Sequence, residues 1–331
     1  MTTQRPAQPD ALLIGAPKAG TSALHAALAL HPQVFSTRPK EPKYYLCADA
    51  PPPAYCGPGD AHSQQEWIWR FEDYQRLFEP ARDDQVRIES TPFYLYLRNA
   101  RRRIAEELPQ AKLIAVVRDP VDRAYSNWMH LWSDGLEPES DFERAFDLEQ
   151  HRIAAGWAPF WHYRRQGLYG RQLDDLYRHV DADRILVVRY RELVVDPSGL
   201  LDRVCAFLGL DSGVITTIPH ENSRTFVAPS PTTAVLSRVI RAGAALGQWL
   251  PPEVWRRASE PLTGLMQSRG AAARPALDPA IRTRLVERFS DDIDLLERVT
   301  GQSFEDWRKD RSAGSFAARK AASAQGGTAT D

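Results

Sequence analysis

The sequence predicts an α/β fold: a mainly parallel sheet flanked by helices, with an additional helical region at the C-terminal end. Three observations carry this expectation. The short apolar runs 12–14, 86–89, 111–117 and 185–188 have the length and branched-residue content of strands buried on both faces. Each is followed by a stretch with helical spacing, and that alternation implies parallel strands joined by right-handed crossovers. Beyond 231 only helical patterns recur. The 331 residues suffice for one large domain or two. One α/β domain is expected over 11–310, its helical part at about 232–308, between a flexible N-terminus (1–10) and a disordered tail (311–331) poor in apolar residues.

The first unit runs Leu12-Leu13-Ile14-Gly15-Ala16-Pro17-Lys18-Ala19-Gly20-Thr21-Ser22. It reads as strand, tight glycine loop and helix. A helix N-terminus at Thr21 presents amides without intrahelical partners and the positive end of the macrodipole, so an anion is its natural occupant. The loop resembles a Walker A motif, but Thr21 stands where that motif has lysine, and Lys18 sits inside the loop. Against 36 arginines the chain has six lysines, three of them at Lys18, Lys40 and Lys43. Lysine in so arginine-biased a chain suits places that need a compact point charge. The other reading is a glycine turn that binds nothing.

His31-Pro32 ends the loop helix. Next, Pro39 and Pro42 bracket Lys40-Glu41 and limit helix formation. Glu41 reads either as half of a surface ion pair or as a general base aimed at whatever the loop holds. The proline- and glycine-rich excursion 48–65 has neither period, and 66–78 has amphipathic helical spacing. The strand 86–89 leads into Ser90-Thr91-Pro92, a turn expected beside the glycine loop because ligands of parallel sheets lie beyond the strands' carboxyl ends. Arg98, Arg101, Arg102 and Arg103 form either a solvated face or a receiver for an acidic acceptor.

The run 111–117 is the clearest buried strand, and it enters Arg118-Asp119-Pro120 directly. Asp119 as N-cap with Pro120 at N1 starts a helix. Arg118 therefore ends a central strand at the cleft, with Ser126 two turns along. Arg118 either pairs with Asp119 or Asp122, or joins Ser126 in a phosphate clamp. Trp128 and Trp132 read as core; with Tyr44 and Tyr45 they also suit an aromatic-lined cleft, although all four could equally be core. His130 shares the face of Ser126 without an evident carboxylate partner in the sequence. Helices are expected at 141–155, 164–179, 196–210, 232–250, 253–266 and 279–300, and the polar stretch 216–231 as a loop.

A net charge of −1 argues against a nucleic-acid partner bound through overall basicity, so an anion site must be local. No apolar run of ~18 residues spans a membrane. The polar N-terminus lacks a leader pattern, and Cys47, Cys56 and Cys205 form neither a metal pattern nor an even disulfide set. A cytoplasmic setting is the expectation.

Taken together, the glycine loop, Lys-Glu-Pro, Ser-Thr-Pro and Arg-Asp-Pro with Tyr-Ser resemble the sulfotransferases that use 3′-phosphoadenosine 5′-phosphosulfate, closest in pattern to the heparan-sulfate-type branch and its bacterial relatives. The resemblance runs from about Ala11 to Trp307. It implies a P-loop-like fold in which Lys18, Ala19, Gly20, Thr21 and Ser22 hold the 5′-phosphosulfate, Arg118 and Ser126 grip the 3′-phosphate, and Glu41 with Lys18 performs in-line transfer to a hydroxyl of a carbohydrate or small-molecule acceptor, without a metal. Two features depart from that branch. Ser90 stands where many members have lysine in Glu-Lys-Thr-Pro, and the Lys-Gly-Arg nucleotide loop is absent, with Ser223-Arg224-Thr225 as its substitute. Two other classes share the motifs: a P-loop kinase or nucleoside triphosphatase using Asp119 for magnesium, and a non-catalytic nucleotide-binding protein.

Overall fold

The computed structural model describes residues 7–58, 67–219, 226–228, 230–247, 257, 261–265, 267–268 and 271–309. Its centre is a five-stranded parallel sheet in the order β2-β3-β1-β4-β5. The strands are β1 (Ala11–Gly15), β2 (Val34–Ser36), β3 (Val86–Glu89), β4 (Lys112–Val117) and β5 (Ile185–Arg189). Register pairs Leu12 with Glu89 on one side of β1 and with Leu113 on the other. β1 and the last five residues of β4 are buried throughout, which is why both read as unbroken apolar runs. Asp10 ties the start of β1 to both neighbours: its side chain accepts from the Arg87 amide at 2.7 Å, and its carbonyl accepts from the Lys112 amide at 2.9 Å.

The chain leaves β1 through α1 (Thr21–Leu28) toward the β2 edge, returns as β3, then crosses β1 through α5 (Arg98–Glu107) to reach β4. The carboxyl end of β1 is thus the point where connections diverge, the usual position of a ligand crevice in open α/β sheets. Two further helices start at neighbouring strand ends, α6 (Pro120–Ser133) after β4 and α10 (Tyr190–Val195) after β5. No helix among the described residues is long and apolar enough to cross a membrane.

Several expected helices are shorter or divided, each for a visible reason. In place of 66–78 there is α3 (Phe71–Arg76), because Ile68 donates to the Pro42 carbonyl (3.0 Å), the Trp69 carbonyl accepts from Asp49 (2.8 Å), and the Asp49 carboxylate takes the Phe71 amide (2.7 Å). The stretch 141–155 breaks at Leu148 into α7 (Phe142–Asp147) and α8 (Glu149–Ala154). That break carries the buried Glu149 carboxylate to the amides of Arg164 (2.5 Å) and Arg165 (3.0 Å). The stretch 164–179 becomes a 3-10 turn, Arg165–Gly167, and α9 (Tyr169–Tyr177). The polar loop 216–231 contains the short strand Phe226–Val227, paired antiparallel with Ala271–Ala272. The helix at 232–250 is observed as Pro231–Gly247. The expected disordered tail, residues 1–6 of the expected flexible N-terminus, and most of 253–266 lie outside the described residues.

The C-terminal region packs into the α/β body. The expected helix 279–300 forms as two, Pro279–Glu287 and Ser290–Thr300. Between them Phe289 is fully buried, with Phe146 edge-on at 6.0 Å, and a Cβ on Gly167 would lie 3.0 Å from its ring. The second helix caps α9: the Asp292 carboxylate accepts from the Gly170 (2.8 Å) and Arg171 (3.0 Å) amides. A Cβ at Gly170 would lie 2.3 Å from the Asp292 carbonyl oxygen, so only glycine permits the approach. Phe289→Ala should therefore destabilise the α/β body by ~3–5 kcal/mol in urea unfolding. A change below ~1 kcal/mol would mean that the C-terminal helices are peripheral.

Candidate active site

The glycine loop joins β1 to α1 at the divergence point. Its Ala16 amide donates to the Val116 carbonyl of β4 at 2.6 Å, and Ala19 closes the turn onto Ala16 at 3.1 Å. Lys18 (φ 64) and Gly20 (φ 94) lie in the left-handed region, which turns the backbone sharply into the helix. Gly20 is the N-cap of α1, and no side chain caps that end. The first-turn amides of Thr21 and Ser22 thus have no intrahelical partner and face the crevice end of the sheet. A Cβ on Gly15 would meet Leu95 at 2.5 Å, and one on Gly20 would meet Leu193 at 2.8 Å and Tyr190 at 2.9 Å.

Arg118 does not take Asp119 or Asp122 as its partner. Its Nη1 donates to the Lys18 carbonyl at 3.1 Å, and its guanidinium lies 4.7 Å over the Tyr190 ring. The two aspartates are engaged by the distant Arg282. Asp119 accepts the Val121 (3.0 Å) and Asp122 (3.1 Å) amides as N-cap and also binds Arg282, while Asp122 accepts from Arg282 at 2.6 Å. Arg118 is thereby left to face the loop. Ser126 lies on the buried side of α6, without a hydrogen bond to Arg118 among the described residues. Arg224 and its neighbours Ser223 and Thr225 lie outside the described residues.

Glu41 stands beside the start of α1. Lys40 Nζ donates to Ser22 Oγ at 2.6 Å and to Glu41 Oε1 at 3.2 Å, with the Lys40 and Glu41 side chains 24% and 27% exposed. The 40–43 segment is held from below by the end of β3. Ser90 donates its amide to the Lys40 carbonyl (3.0 Å), and Thr91 Oγ1 accepts the Lys43 amide (3.3 Å) and donates to Glu89 (3.0 Å). Glu89, fully buried, also accepts from Tyr94 (2.7 Å) and Tyr74 (3.2 Å). Burial raises its carboxyl to about 7, opposed by those three hydroxyls. Nearby, His25 Nδ1 is 2.7 Å from Ser90 Oγ, and burial, helped by the Lys40 charge, holds this imidazole down at about 4.

The structure thus gathers Lys18, Ser22, Glu41 and Arg118 around one helix end. Lys40, read from sequence as a retained lysine beside Glu41, links that residue to the loop helix. Tyr190 was missed; its place immediately after a buried strand was the available signal. The roles of Glu89 and His25 were also missed: the His25 partner is 65 residues away, and although Thr91 and Tyr94 follow Glu89 closely in the chain, the burial that gathers them with Tyr74 around its carboxyl is tertiary. Other readings are decided or corrected. Tyr44 and Tyr45 are core, 2% and 0% exposed, and Tyr44 stacks on Tyr74 at 4.6 Å. Arg101 is buried, with Asp175 at 2.6 Å and the carbonyls of Leu95 and Tyr96 around it. His130 has a carboxylate neighbour, Asp134, one turn on at 3.8 Å.

The model of the sulfotransferase family matches residues 9–213. Human heparan sulfate glucosamine 3-O-sulfotransferase 6 is 34% identical over 202 residues, 61% of this chain and 52% of that protein. Mouse bifunctional heparan sulfate N-deacetylase/N-sulfotransferase 4 is 25% identical over 241 residues, 71% of this chain and 25% of its own. The chain spans about half the length of the 3-O-sulfotransferase it matches. A sulfotransferase of known structure from Alicyclobacillus acidocaldarius aligns over 91% of this chain and 99% of its own, with a TM-score of 0.70 and 25% identity.

Two expectations follow from the site's packing. In Gly20→Ala the new Cβ displaces Tyr190, the ring under Arg118, in a backbone conformation that L residues rarely adopt. It should cost ~1–3 kcal/mol in thermal or urea unfolding, and an unchanged unfolding curve would refute the crowding. For Glu89, the folded state holds its proton more tightly than the unfolded chain does. Its contribution to stability is therefore complete below the unfolded carboxyl range and is lost as pH rises through about 7. Between about pH 5 and about pH 8 the wild type should lose roughly 2–3 kcal/mol more stability than Glu89→Gln, and parallel curves would contradict this.

Proposed function

From the premise that the chain belongs to the sulfotransferase family, we propose that it transfers the sulfuryl group of 3′-phosphoadenosine 5′-phosphosulfate to a hydroxyl of a carbohydrate or small-molecule acceptor. The observation that carries this reading is the convergence at the start of α1. Uncapped amides, the Lys40–Ser22–Glu41 chain and the Arg118 guanidinium meet there, and all but Glu41 favour a bound anion.

Sulfuryl transfer resembles phosphoryl transfer in its loose, in-line transition state, so catalysis rests on positioning and charge stabilisation. The Thr21 and Ser22 amides receive the 5′-phosphosulfate, and Lys18 neutralises charge growing on the leaving phosphate oxygen. Arg118, oriented by the Lys18 carbonyl and the Tyr190 face, takes the 3′-phosphate with Ser126 from the next helix. Glu41 accepts the acceptor's hydroxyl proton. It sits beside Lys40, which spans the gap to Ser22. The bond from sulfur to the phosphate oxygen breaks as the bond to the acceptor oxygen forms, and the products are the sulfated acceptor and adenosine 3′,5′-bisphosphate.

A magnesium-dependent kinase needs a free carboxylate after β4. The Asp119 oxygens are occupied by two backbone amides and Arg282, which disfavours that reading. A purely binding protein has no use for Glu41 beside an anionic ligand, because like charges repel.

Calorimetric titration with adenosine 3′,5′-bisphosphate in EDTA should show binding that Arg118→Ala weakens by about tenfold or more. Glu41→Gln should keep bisphosphate affinity while turnover of a responsive acceptor falls ~10²- to 10⁴-fold. Absence of bisphosphate binding, with magnesium-dependent ATP binding instead, would overturn the donor assignment. Full turnover in Glu41→Gln would remove Glu41 from the mechanism.

A further inference from the structure

A second concave surface has no part in this scheme. It is a cleft of about 430 Å³ between α4 (Phe93–Tyr96), α8 and the start of α9, with Arg101, Arg164, Arg165 and Arg171 in its lining together with Tyr96 and Gln172. That volume falls in the range of small-molecule sites. Neither Lys18, Ser22, Glu41 nor Arg118 lines it.

The four guanidiniums are unequally neutralised. Arg101 is bound to Asp175 at 2.6 Å, and Arg171 lies 3.9 Å from Asp292. Arg164 and Arg165 instead donate to neutral oxygens, the Arg288 carbonyl (3.3 Å) and Gln150 Oε1 (3.1 Å), and neither forms an ion pair among the described residues. Glu149 accepts their backbone amides at 2.5 and 3.0 Å, which fixes the peptide that carries both side chains. Its charge attracts Arg165 and that of Asp292 attracts Arg164, so three carboxylates, Asp175, Asp292 and Glu149, stand against four guanidiniums. Two buried polar atoms of the lining residues, Arg164 Nε and Gln172 Oε1, have no hydrogen-bond partner among the described residues. The opposite wall is held as well: Tyr96 shares a 2.7 Å hydrogen bond with His162 Nδ1, and its carbonyl accepts from Arg101. The cleft therefore presents surplus positive charge as planar forks on a braced backbone, beside an aromatic ring. Arginine forks suit oxyanions with two coplanar oxygens, and bracing lowers the ordering cost of binding.

We propose that this cleft is a second anion-binding site, separate from the donor loop, that takes a small organic molecule bearing a carboxylate, sulfate or phosphate group. Arg164 and Arg165 are its primary contacts, and Tyr96 covers the organic part.

The test uses the full chain and two probes, citrate for carboxylates and sucrose octasulfate for sulfate esters, titrated calorimetrically at low salt with and without saturating adenosine 3′,5′-bisphosphate. Binding of at least one probe in both conditions is expected, and the responding probe identifies the anion class. Arg164→Gln/Arg165→Gln should weaken it by about tenfold or more, and Arg165→Gln alone, at an exposed position that leaves folding intact, by about threefold or more. Both variants should keep wild-type bisphosphate affinity. Probe binding that the bisphosphate abolishes, that both variants retain in full, or that the wild type lacks for both probes would overturn the proposal. Failure of the bisphosphate itself to bind would count against the donor assignment alone, because the titrations without it still decide the cleft.

Discussion

The structure depends on a steric constraint at the end of β1: there is no room for a Cβ at Gly15 or at Gly20. Leu95 of α4 presses on the first and Tyr190 and Leu193 of α10 on the second, each with an atom less than 3 Å from where a Cβ would sit. These contacts draw the helices that follow β3 and β5 onto the loop that follows β1. Three strand ends are thereby joined at one point. The uncapped start of α1 lies there, and the ring that crowds Gly20 is the one over which Arg118 lies. Close packing and the uncapped helix start beside Arg118 are consequences of the same missing side-chain atoms.

Charge placement extends that organisation outward. Buried ion pairs return little net stability, because desolvation offsets much of their attraction, but a half-broken pair is costly, so they favour one arrangement over its competitors. Arg282 enacts this at the head of α6 by occupying both Asp119 and Asp122. Arg118, one residue earlier, consequently turns to the Lys18 carbonyl instead of to its sequence neighbours. On the other side of the crevice, Glu89 collects three hydroxyls, and through Thr91 holds the backbone that carries Lys40 and Glu41. The helices beyond 278 belong to this machinery through Arg282, Phe289 and Asp292, although from sequence they read as an added region.

Features set by local chemistry were legible from the residues: the buried runs of β1 and β4, the glycine turn, Asp119 as N-cap with Pro120 behind it, and the lysine retained at position 18 of an arginine-rich chain. Apolar content, missing side chains and cap geometry act within a few residues, so the order of amino acids determines them directly. Helix ends were less legible. The breaks at Leu148, at Gly167 and before Ser290 arise because Glu149, Gly167 and Phe289 each meet a partner from a distant segment, and periodicity carries no trace of such a partner.

For the same reason, which charged group meets which was settled only by the tertiary structure. The sequence determined that a parallel α/β sheet would form and that an anion-suited loop would follow its first strand. It left Arg118 as either a partner of Asp119 or Asp122 or half of a phosphate clamp, and Arg101 as a member of a row that was either solvated or a receiver for an acidic acceptor. Folding resolved both by bringing in Arg282 from 160 residues away and Asp175 from 74. In a buried setting a charge takes the partner that best satisfies its hydrogen-bonding geometry, and that partner is fixed by where the packed helices bring it, not by its distance along the chain.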